Sequence, residues 1–186
     1  MRIIAGEWRG RKLVAPKGDA TRPTADRTRE TLFSMLTSRL GSFEGLRVAD
    51  LFAGSGALGL EALSRGAANC LFVEQDSAAL KAIRANVEAL GGRATTTIQA
   101  ASVMALGPIG APYDLILLDP PYDTGAGQVA IDRLLRLGWI GPQTWLSLET
   151  PAKEAVDIKG VAIETSRKVG KAKLTLLRLA EDDSVC

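Results

Sequence analysis

Short apolar segments alternate with amphipathic segments along most of this 186-residue chain. Residues 115–118 read Leu-Ile-Leu-Leu, the continuous apolar run expected of a strand covered on both faces of a parallel sheet. Repeated strand–helix alternation predicts an α/β fold with a doubly wound sheet and helices on both faces. The predicted strands are 47–52, 70–74, 95–99, 114–118, 144–149, 161–165 and 174–179, and the predicted helices are 26–40, 57–65, 77–90 and 128–137.

The first forty residues precede this series and differ from it. Residues 3–5 and 12–14 predict a short hairpin, and Thr24 is a candidate cap for the helix over 26–40. Because the chain contains no linker or internal repeat, we expect an extension over residues 1–40 that packs on one domain over residues 41–186.

The chain contains no histidine. This excludes Ser-His-Asp and Cys-His triads, zinc held by histidine and a histidine general base. Any chemistry must therefore use carboxylates, backbone groups, hydroxyls, amines or a cofactor. We predict no metal site.

The two cysteines, Cys70 and Cys186, match neither a disulfide framework nor a zinc motif. Cys70 is expected to be a small core residue with a free thiol, which indicates a reducing compartment. The sequence also has no apolar run of about 18 residues and no charged-then-apolar leader. These features predict a cytoplasmic protein without a membrane partner.

Positive charge is concentrated at the beginning of the chain. The net charge is +2, but residues 1–40 hold nine Arg/Lys and four Asp/Glu, so this part carries +5 and the remainder −3. A second basic run lies between Arg167 and Arg178, where no acidic residue intervenes. The asymmetry points toward a polyanion partner such as nucleic acid, and the alternative is a solvated charged surface.

A glycine-rich segment joins the first strand of the series to its helix. Gly54, Gly56 and Gly59 match G-x-G-x-x-G, and Glu74 lies twenty residues after Gly54. This is a nucleotide-binding fingerprint, in which glycines admit a ligand and the acid accepts from ribose hydroxyls. Alone, the pattern also fits a tight structural turn or a nicotinamide-dependent oxidoreductase.

Asp50 separates the possible cofactors. A carboxylate at the end of the first strand would repel a pyrophosphate, whereas it would attract a ligand that carries cationic groups. S-adenosylmethionine has an ammonium, a sulfonium and a ribose, and no phosphate. The alternative for Asp50 is that its carboxylate caps amides of the loop.

The segment Asp119-Pro120-Pro121-Tyr122 follows the strand at 114–118, at the sheet edge where such folds bind ligands. Since proline has no N–H, the segment offers mainly acceptors. Asp119 and the Pro120 carbonyl are predicted to hold an amino group while Tyr122 stacks on the base. In-line methyl transfer then depends on orientation and electrostatics, and Asp119 can take up the proton.

Together, DLFAGSGALGLEAL (50–63), VEQD (73–76) and DPPY (119–122) resemble the class I S-adenosylmethionine-dependent amino-methyltransferases. RIIAGEWRGRKL (2–13) and RPTADRTRETLFSML (22–36) are more specific and resemble the RsmD family, the bacterial 16S ribosomal RNA (guanine-N2)-methyltransferases. The resemblance implies a Rossmann-like fold with seven strands, the last antiparallel, and an N-terminal hairpin that helps to hold RNA. It implies S-adenosylmethionine as cofactor and 16S ribosomal RNA of the small subunit as partner.

The resemblance also assigns residues. It implies catalysis by Asp119, Pro120, Pro121 and Tyr122, and a closing motif that contains Arg22, Thr24, Arg27 and Glu30. The stretch after the third strand lacks the acid that often contacts the adenine, so Ser102 and Val103 are the candidates there. The implied cofactor contacts are Asp50, Phe52, Ala53, Gly54, Ser55, Gly56, Glu74, Gln75, Ser102 and Val103, and the candidate RNA contacts are Arg9, Arg11, Lys12, Arg22, Arg27, Lys168 and Lys171.

Three alternative functions remain at this point: an amino-methyltransferase with another acceptor, a nicotinamide-dependent oxidoreductase and a non-catalytic module. Asp50 and the acceptor-only Asp119 site argue against the oxidoreductase. The acceptor could be an adenine N6 of DNA or a protein amide nitrogen, and a non-catalytic RNA-binding module would bind RNA but not S-adenosylmethionine. Trp8 could stack on RNA or anchor the hairpin.

Overall fold

A computed structural model describes residues 1–17 and 23–182. The helices are α1 (Pro23–Leu40), α2 (Ala57–Ser64), α3 (Ser77–Leu90) and α4 (Ala126–Arg136), and two 3-10 turns lie at Arg93–Thr95 and Val103–Ala105. The strands are β1 (Arg47–Leu51), β2 (Asn69–Glu74), β3 (Thr96–Ala100), β4 (Leu115–Leu118), β5 (Trp145–Pro151), β6 (Val161–Val169) and β7 (Ala172–Leu179).

The seven strands form one sheet in the order β3-β2-β1-β4-β5-β7-β6. The first five are parallel, and β7 is antiparallel to both β5 and β6. The sequence prediction of a doubly wound, mostly parallel sheet with an antiparallel last strand is confirmed. The strand order reverses between β1 and β4, which is where folds of this kind open a crevice for ligands.

Helices cover both faces of this sheet. One apolar cluster joins Phe33 of α1, Leu60 of α2 and Ile83 of α3 to the sheet. A second cluster joins Ile131 and Leu134 of α4 to the opposite face. The strand between these layers, β4, is buried at all four positions, which is why its sequence is apolar throughout.

Two elements of the N-terminal part are present with bounds that differ from the sequence expectation. The predicted hairpin forms as a short antiparallel pair whose arms are shifted from 3–5 and 12–14. Arg2 and Lys12 form a bridge, and the Ile3, Gly10 and Leu13 N–H groups donate to the Arg11, Ile3 and Met1 carbonyls. The helix begins at Pro23 rather than at 26, so Thr24 lies within its first turn and is not the cap. A proline is well suited to a first helical position because it has no N–H to leave unpaired.

Candidate active site

The glycine loop, residues 52–56, leaves β1 at the carboxyl edge of the sheet and enters α2. Gly54 and Gly56 have positive φ values of 57° and 80°, and Phe52 also has a positive φ, 58°. A Cβ placed on Gly54 would meet no atom within 4 Å, so this side of the loop is open to a ligand. A positive φ on a bulky residue such as Phe52 is uncommon and is typical of functional loops.

Gly59, the third glycine of the motif, has a packing role. A Cβ at this position would lie 2.5 Å from the ring of Phe72 and 2.6 Å from the sulfur of Cys70. Gly59 therefore lets α2 lie directly on β2, as the last glycine of such motifs does. Cys70 is buried in the core, as the sequence predicts.

Glu74 holds the glycine loop from the end of β2. One carboxylate oxygen accepts from the Gly54 N–H at 2.8 Å, and the other accepts from the Gln75 and Asp76 N–H groups at 2.8 and 2.9 Å. The side chain is half-buried. Since each oxygen of an ionised carboxylate can accept more than one hydrogen bond, Glu74 can also receive a ribose hydroxyl. This second function as a support of the loop was missed in the sequence.

Asp50 is buried beneath the loop. Its carboxylate accepts from the Gly59 N–H at 2.9 Å. This contact matches the alternative role expected for Asp50, in which its carboxylate caps an amide of the glycine motif. Burial raises its pKa to about 8, an effect increased by Glu74 and opposed by the Gly59 N–H. A carboxyl group with this pKa is largely protonated at neutral pH. In this conformation Asp50 therefore lacks the negative charge that was expected to attract a cationic ligand. Its contact with a cofactor stays a prediction.

The other predicted cofactor residues also lie at the carboxyl edge. Ser102 follows β3, and its hydroxyl accepts from the Met104 N–H at 3.2 Å, while the side chain of Val103 is buried. Gln75 is exposed between β2 and α3. The loops after β1, β2 and β3 therefore lie side by side at this edge of the sheet, and contact of Ser102 or Val103 with an adenine stays a prediction.

The Asp119–Tyr122 segment leaves the sheet beside the glycine loop. Leu51 of β1 is in register with Leu118 of β4, so Phe52 and Asp119 emerge from adjacent strands at the same level. Asp119 and Tyr122 are exposed, whereas Pro120 is buried. The structure therefore brings the predicted cofactor loop and the predicted acceptor segment together at the point where strand order reverses.

Tyr122 is held by a residue that the sequence did not single out. Its hydroxyl donates to a carboxylate oxygen of Glu149, on β5, at 2.8 Å. Burial, this hydrogen bond and the charges of Glu149 and Asp119 raise the pKa of Tyr122, so the hydroxyl stays protonated and remains a donor. Tyr122 is nevertheless 42% exposed, which leaves it available for stacking. The missed signal was an acid near the carboxyl end of β5.

A buried acid on α2 fixes the N-terminal segment, residues 1–17. Glu61 is fully buried, and its carboxylate accepts from the Ile4 and Ala5 N–H groups at 2.9 and 3.0 Å. Arg65 pairs with it at 3.0 Å, and the buried Arg29 of α1 lies 3.9 Å away. Sequence reasoning missed this network, although a lone acid within the apolar helix ALGLEALS is a signal for one.

The tip of the N-terminal segment lies against the far end of α2. The Glu7 and Trp8 N–H groups donate to Ser64, the last residue of the helix. Ser64 is seven residues beyond Ala57, about 10 Å along the axis from the glycine loop. Trp8 lies against Gly92, so it anchors the hairpin, one of the two roles that the sequence left open for this residue.

The predicted RNA-contacting residues fall into separate groups. Arg9, Arg11 and Lys12 are exposed near the far end of α2 and α3, where Arg11 donates to the Ala89 carbonyl at 2.5 Å. Lys168 and Lys171 flank the β6–β7 turn; since β6 runs parallel to β5, this turn lies at the carboxyl edge. Arg27 is exposed on α1, and Arg22 lies outside the described residues.

Two kinds of feature are absent from residues 1–17 and 23–182. No helix among them is long and apolar enough to cross a bilayer. No group of three or more Cys, Asp or Glu side chains is placed to hold a metal ion there.

Comparison with known proteins gives consistent matches. The family model described as Conserved hypothetical protein 95 matches residues 1–178. Ribosomal RNA small subunit methyltransferase D of Escherichia coli is 36% identical over 156 residues, which cover 84% of this chain and 77% of that protein. The protein of the same name from Haemophilus influenzae is 38% identical over 154 residues, covering 81% and 78%.

Solved structures agree with these matches. The structure of the Escherichia coli methyltransferase yhhF has a TM-score of 0.83 and 32% identity, and the match covers 98% of this chain and 99% of that one. A magnesium protoporphyrin IX methyltransferase from Synechocystis, solved with bound S-adenosylmethionine, shares the fold at a TM-score of 0.64 and 16% identity, over 88% of this chain and 87% of that one. The class I S-adenosylmethionine-dependent methyltransferase fold is confirmed, and the chain belongs to the RsmD family.

Proposed function

We propose that this protein transfers a methyl group from S-adenosylmethionine to the exocyclic N2 amino group of a guanine in 16S ribosomal RNA of the small subunit. The observation that carries the proposal is the register of β1 and β4. It places the glycine loop, with Glu74 beside it, next to the Asp119–Tyr122 segment at one open edge. The curated relatives are named as ribosomal RNA small subunit methyltransferases, which supports the same substrate and a cytoplasmic location.

The cofactor half of this site fits S-adenosylmethionine. The open side of Gly54 leaves room for the ligand beside the backbone, and Glu74 retains acceptor capacity for the ribose hydroxyls. Bound there, the cofactor supplies an electrophilic methyl group on a sulfonium. The same segments after β1 and β2 contain Phe52, Ala53, Ser55, Gly56 and Gln75, which are proposed to line the cofactor site.

The acceptor half fits an amino group on a flat base. Asp119 and the Pro120 carbonyl accept from its two N–H bonds, and the nitrogen lone pair is thereby directed at the methyl carbon. The new N–C bond forms as the S–C bond breaks, and the sulfur leaves as a neutral thioether. The proton that the nitrogen loses passes to the Asp119 carboxylate. Tyr122, fixed by Glu149, provides the stacking surface.

The N-terminal part is proposed to hold the RNA. Residues 1–40 carry the +5 charge. They are proposed to form an extension that packs on the domain of residues 41–186. Arg9, Arg11 and Lys12 are proposed to contact phosphates, as are Arg22 and Arg27. Lys168 and Lys171 are proposed to do so beside the site.

Mapping a labelled methyl group tests the acceptor. The protein is incubated with labelled S-adenosylmethionine and small-subunit RNA, DNA or protein, and the product is located by mass spectrometry. Label on a guanine N2 of the RNA is the expected result. Label on adenine N6 of DNA or on a protein amide would instead establish the corresponding alternative, and RNA binding without label would indicate a non-catalytic module.

A matched pair of variants tests the role of Asp119. Asp119→Asn replaces an acceptor with a group that also donates, so we expect kcat/KM to fall about a hundredfold or more. Asp123→Asn makes the same change in the same exposed loop and should stay close to the parental rate. Cofactor affinity, measured by calorimetry, should be the same in both. Parental turnover by Asp119→Asn would remove this residue from the reaction.

A further inference from the structure

Asn86 is a buried polar residue that the proposed reaction does not use. It lies on α3, on the buried side of the helix together with Ile83, Val87 and Leu90, and is 2% exposed. An amide buried among apolar side chains is costly unless its hydrogen bonds are made. The identity of its partners therefore indicates what the residue does.

The side chain of Asn86 binds two separate parts of the chain. Its oxygen accepts from the Val14 N–H at 2.8 Å. Its nitrogen donates to the Val14 carbonyl at 3.0 Å and to the Ser55 carbonyl at 2.9 Å, so both amide hydrogens are used. Aspartate lacks these donors and leucine lacks both functions, so an asparagine is specifically suited to this position.

These partners join the N-terminal segment to the glycine loop. Val14 belongs to residues 1–17, whereas Ser55 stands between Gly54 and Gly56. The Ser55 hydroxyl also points to the sulfur of Met1 at 3.9 Å, a weak second contact between the same two parts. A loop with two glycines at positive φ has much conformational freedom, and a hydrogen bond to its central carbonyl restricts it.

We propose that Asn86 is a positioning residue that couples docking of the N-terminal segment to the cofactor-binding conformation of the glycine loop. Docking of residues 1–17 holds Val14 on the Asn86 amide, and the same amide holds the Ser55 carbonyl. Coupling between two sites is reciprocal, so cofactor binding must also strengthen docking of the segment. The inference rests on the proposed cofactor but not on the identity of the RNA.

Calorimetry with S-adenosylhomocysteine, the reaction product, tests the coupling without turnover. Asn86→Ala should bind this ligand roughly five- to tenfold more weakly than the parental protein, since the loop loses one buried hydrogen bond. Thr144→Val is the matched control: its hydroxyl donates to the Tyr113 carbonyl and accepts from the Gly141 N–H before β5, away from the loop. This variant should lose stability and keep its affinity.

Hydrogen exchange in the parental protein provides a second readout that does not depend on the variant folding. Saturation with S-adenosylhomocysteine should slow exchange of the Val14 amide, which reports docking of the segment. Equal losses of affinity in Asn86→Ala and Thr144→Val at matched Tm, or an unchanged Val14 exchange rate on saturation, would overturn the coupling. A parental protein that does not bind the ligand would refute the proposed function, whereas binding that Asn86→Ala leaves unaltered would refute the coupling alone.

Discussion

At the scale of single residues, burial determines the chemistry of Asp50. The group lies under the glycine loop and has only the Gly59 N–H as a partner in the hydrogen bonds described for it. Desolvation of the charged form therefore outweighs that hydrogen bond, and the pKa rises from 3.8 to about 8. The folded chain thus favours the protonated form of Asp50, so the free energy of unfolding depends on pH.

The free energy of unfolding should fall as pH rises from about 4 to 8. Between these values the folded chain keeps a proton on Asp50 that the unfolded chain releases, so the slope is negative and at most about 1.4 kcal/mol per pH unit. Above pH 8 this contribution is constant. Denaturant unfolding across this range measures it. Asp50→Asn should remove the slope, and Asp114→Asn, which alters the acceptor of the Arg47 N–H, should retain it. An equal slope in Asp50→Asn would assign the effect to other groups.

At the scale of elements, the N-terminal segment is attached to the rest of the protein by hydrogen bonds to α2 and α3 and not by pairing with a strand of the sheet. The backbone N–H groups of Ile4, Ala5 and Trp8 donate to side chains of α2, and Val14 binds α3. Gly6 allows this close approach: a Cβ there would lie 1.9 Å from the Ser64 carbonyl oxygen. The segment can dock only because residue 6 has no side chain.

Gly6→Ala should therefore release the N-terminal segment from α2. Gly10→Ala is the matched control, because both glycines have positive φ, 87° and 80°, but a Cβ on Gly10 would meet nothing within 4 Å. We expect Gly10→Ala to cost about 1 kcal/mol from backbone strain and Gly6→Ala clearly more. Hydrogen exchange of the Glu7 amide, which donates to Ser64, reports the release. Equal protection of this amide in the two variants would contradict the role of Gly6.

Particular elements show what the sequence could predict. The boundaries of α3 were predicted to the residue, because Asp76 caps its start and Gly91 ends it with a positive φ. The N-terminal hairpin is shorter than predicted, since the N–H groups of Ile4, Ala5 and Val14 bind the side chains of Glu61 and Asn86 instead of the opposite arm. Those partners lie far along the chain, and periodicity, which reports only local pattern, does not contain them.

The site likewise has parts that the sequence predicts and parts that it does not. The glycine loop and the Asp119–Tyr122 segment could be predicted because each is a contiguous motif that follows a strand. The support that Glu74 gives to Gly54, the hydrogen bond from Tyr122 to Glu149 and the protonation of Asp50 depend on contacts between strands and on burial. A sequence without the structure does not determine these contacts.

At the scale of the whole molecule, basic residues form two surfaces that differ in their distance from the reaction. The first surface, Arg9, Arg11 and Lys12, lies at the far end of α2 and α3. The second surface, Lys168 and Lys171, lies at the carboxyl edge, where the Ala152 N–H just beyond β5 donates to the Lys171 carbonyl at 2.8 Å. An RNA that contacts both surfaces must extend from the far end of α2 and α3 to the carboxyl edge of the sheet.

The salt dependence of RNA binding should distinguish the two surfaces. Each phosphate contact that is removed should lower the slope of log affinity against log salt by about 0.7–0.9. Replacing Arg9, Arg11 and Lys12 together with alanine should therefore lower it by about 2–3 and leave the single-turnover rate at saturating RNA unchanged. Replacing Lys168 and Lys171 should lower it by about 1.4–1.8 and slow that rate as well. Binding assays from low to high salt measure both, with the exposed Lys159→Ala as control. An unaltered slope would identify the first surface as merely solvated.

The long sequence separation of the Glu61, Ser64 and Asn86 contacts has a consequence for the order of synthesis. The partners of residues 4–14 lie 56 to 78 positions later in the chain. At typical rates of translation, on the order of 5–20 residues per second, residues 1–17 wait several seconds before α3 has been made. Residues 1–17 are therefore synthesised before α2 and α3 and remain undocked until both helices have been made.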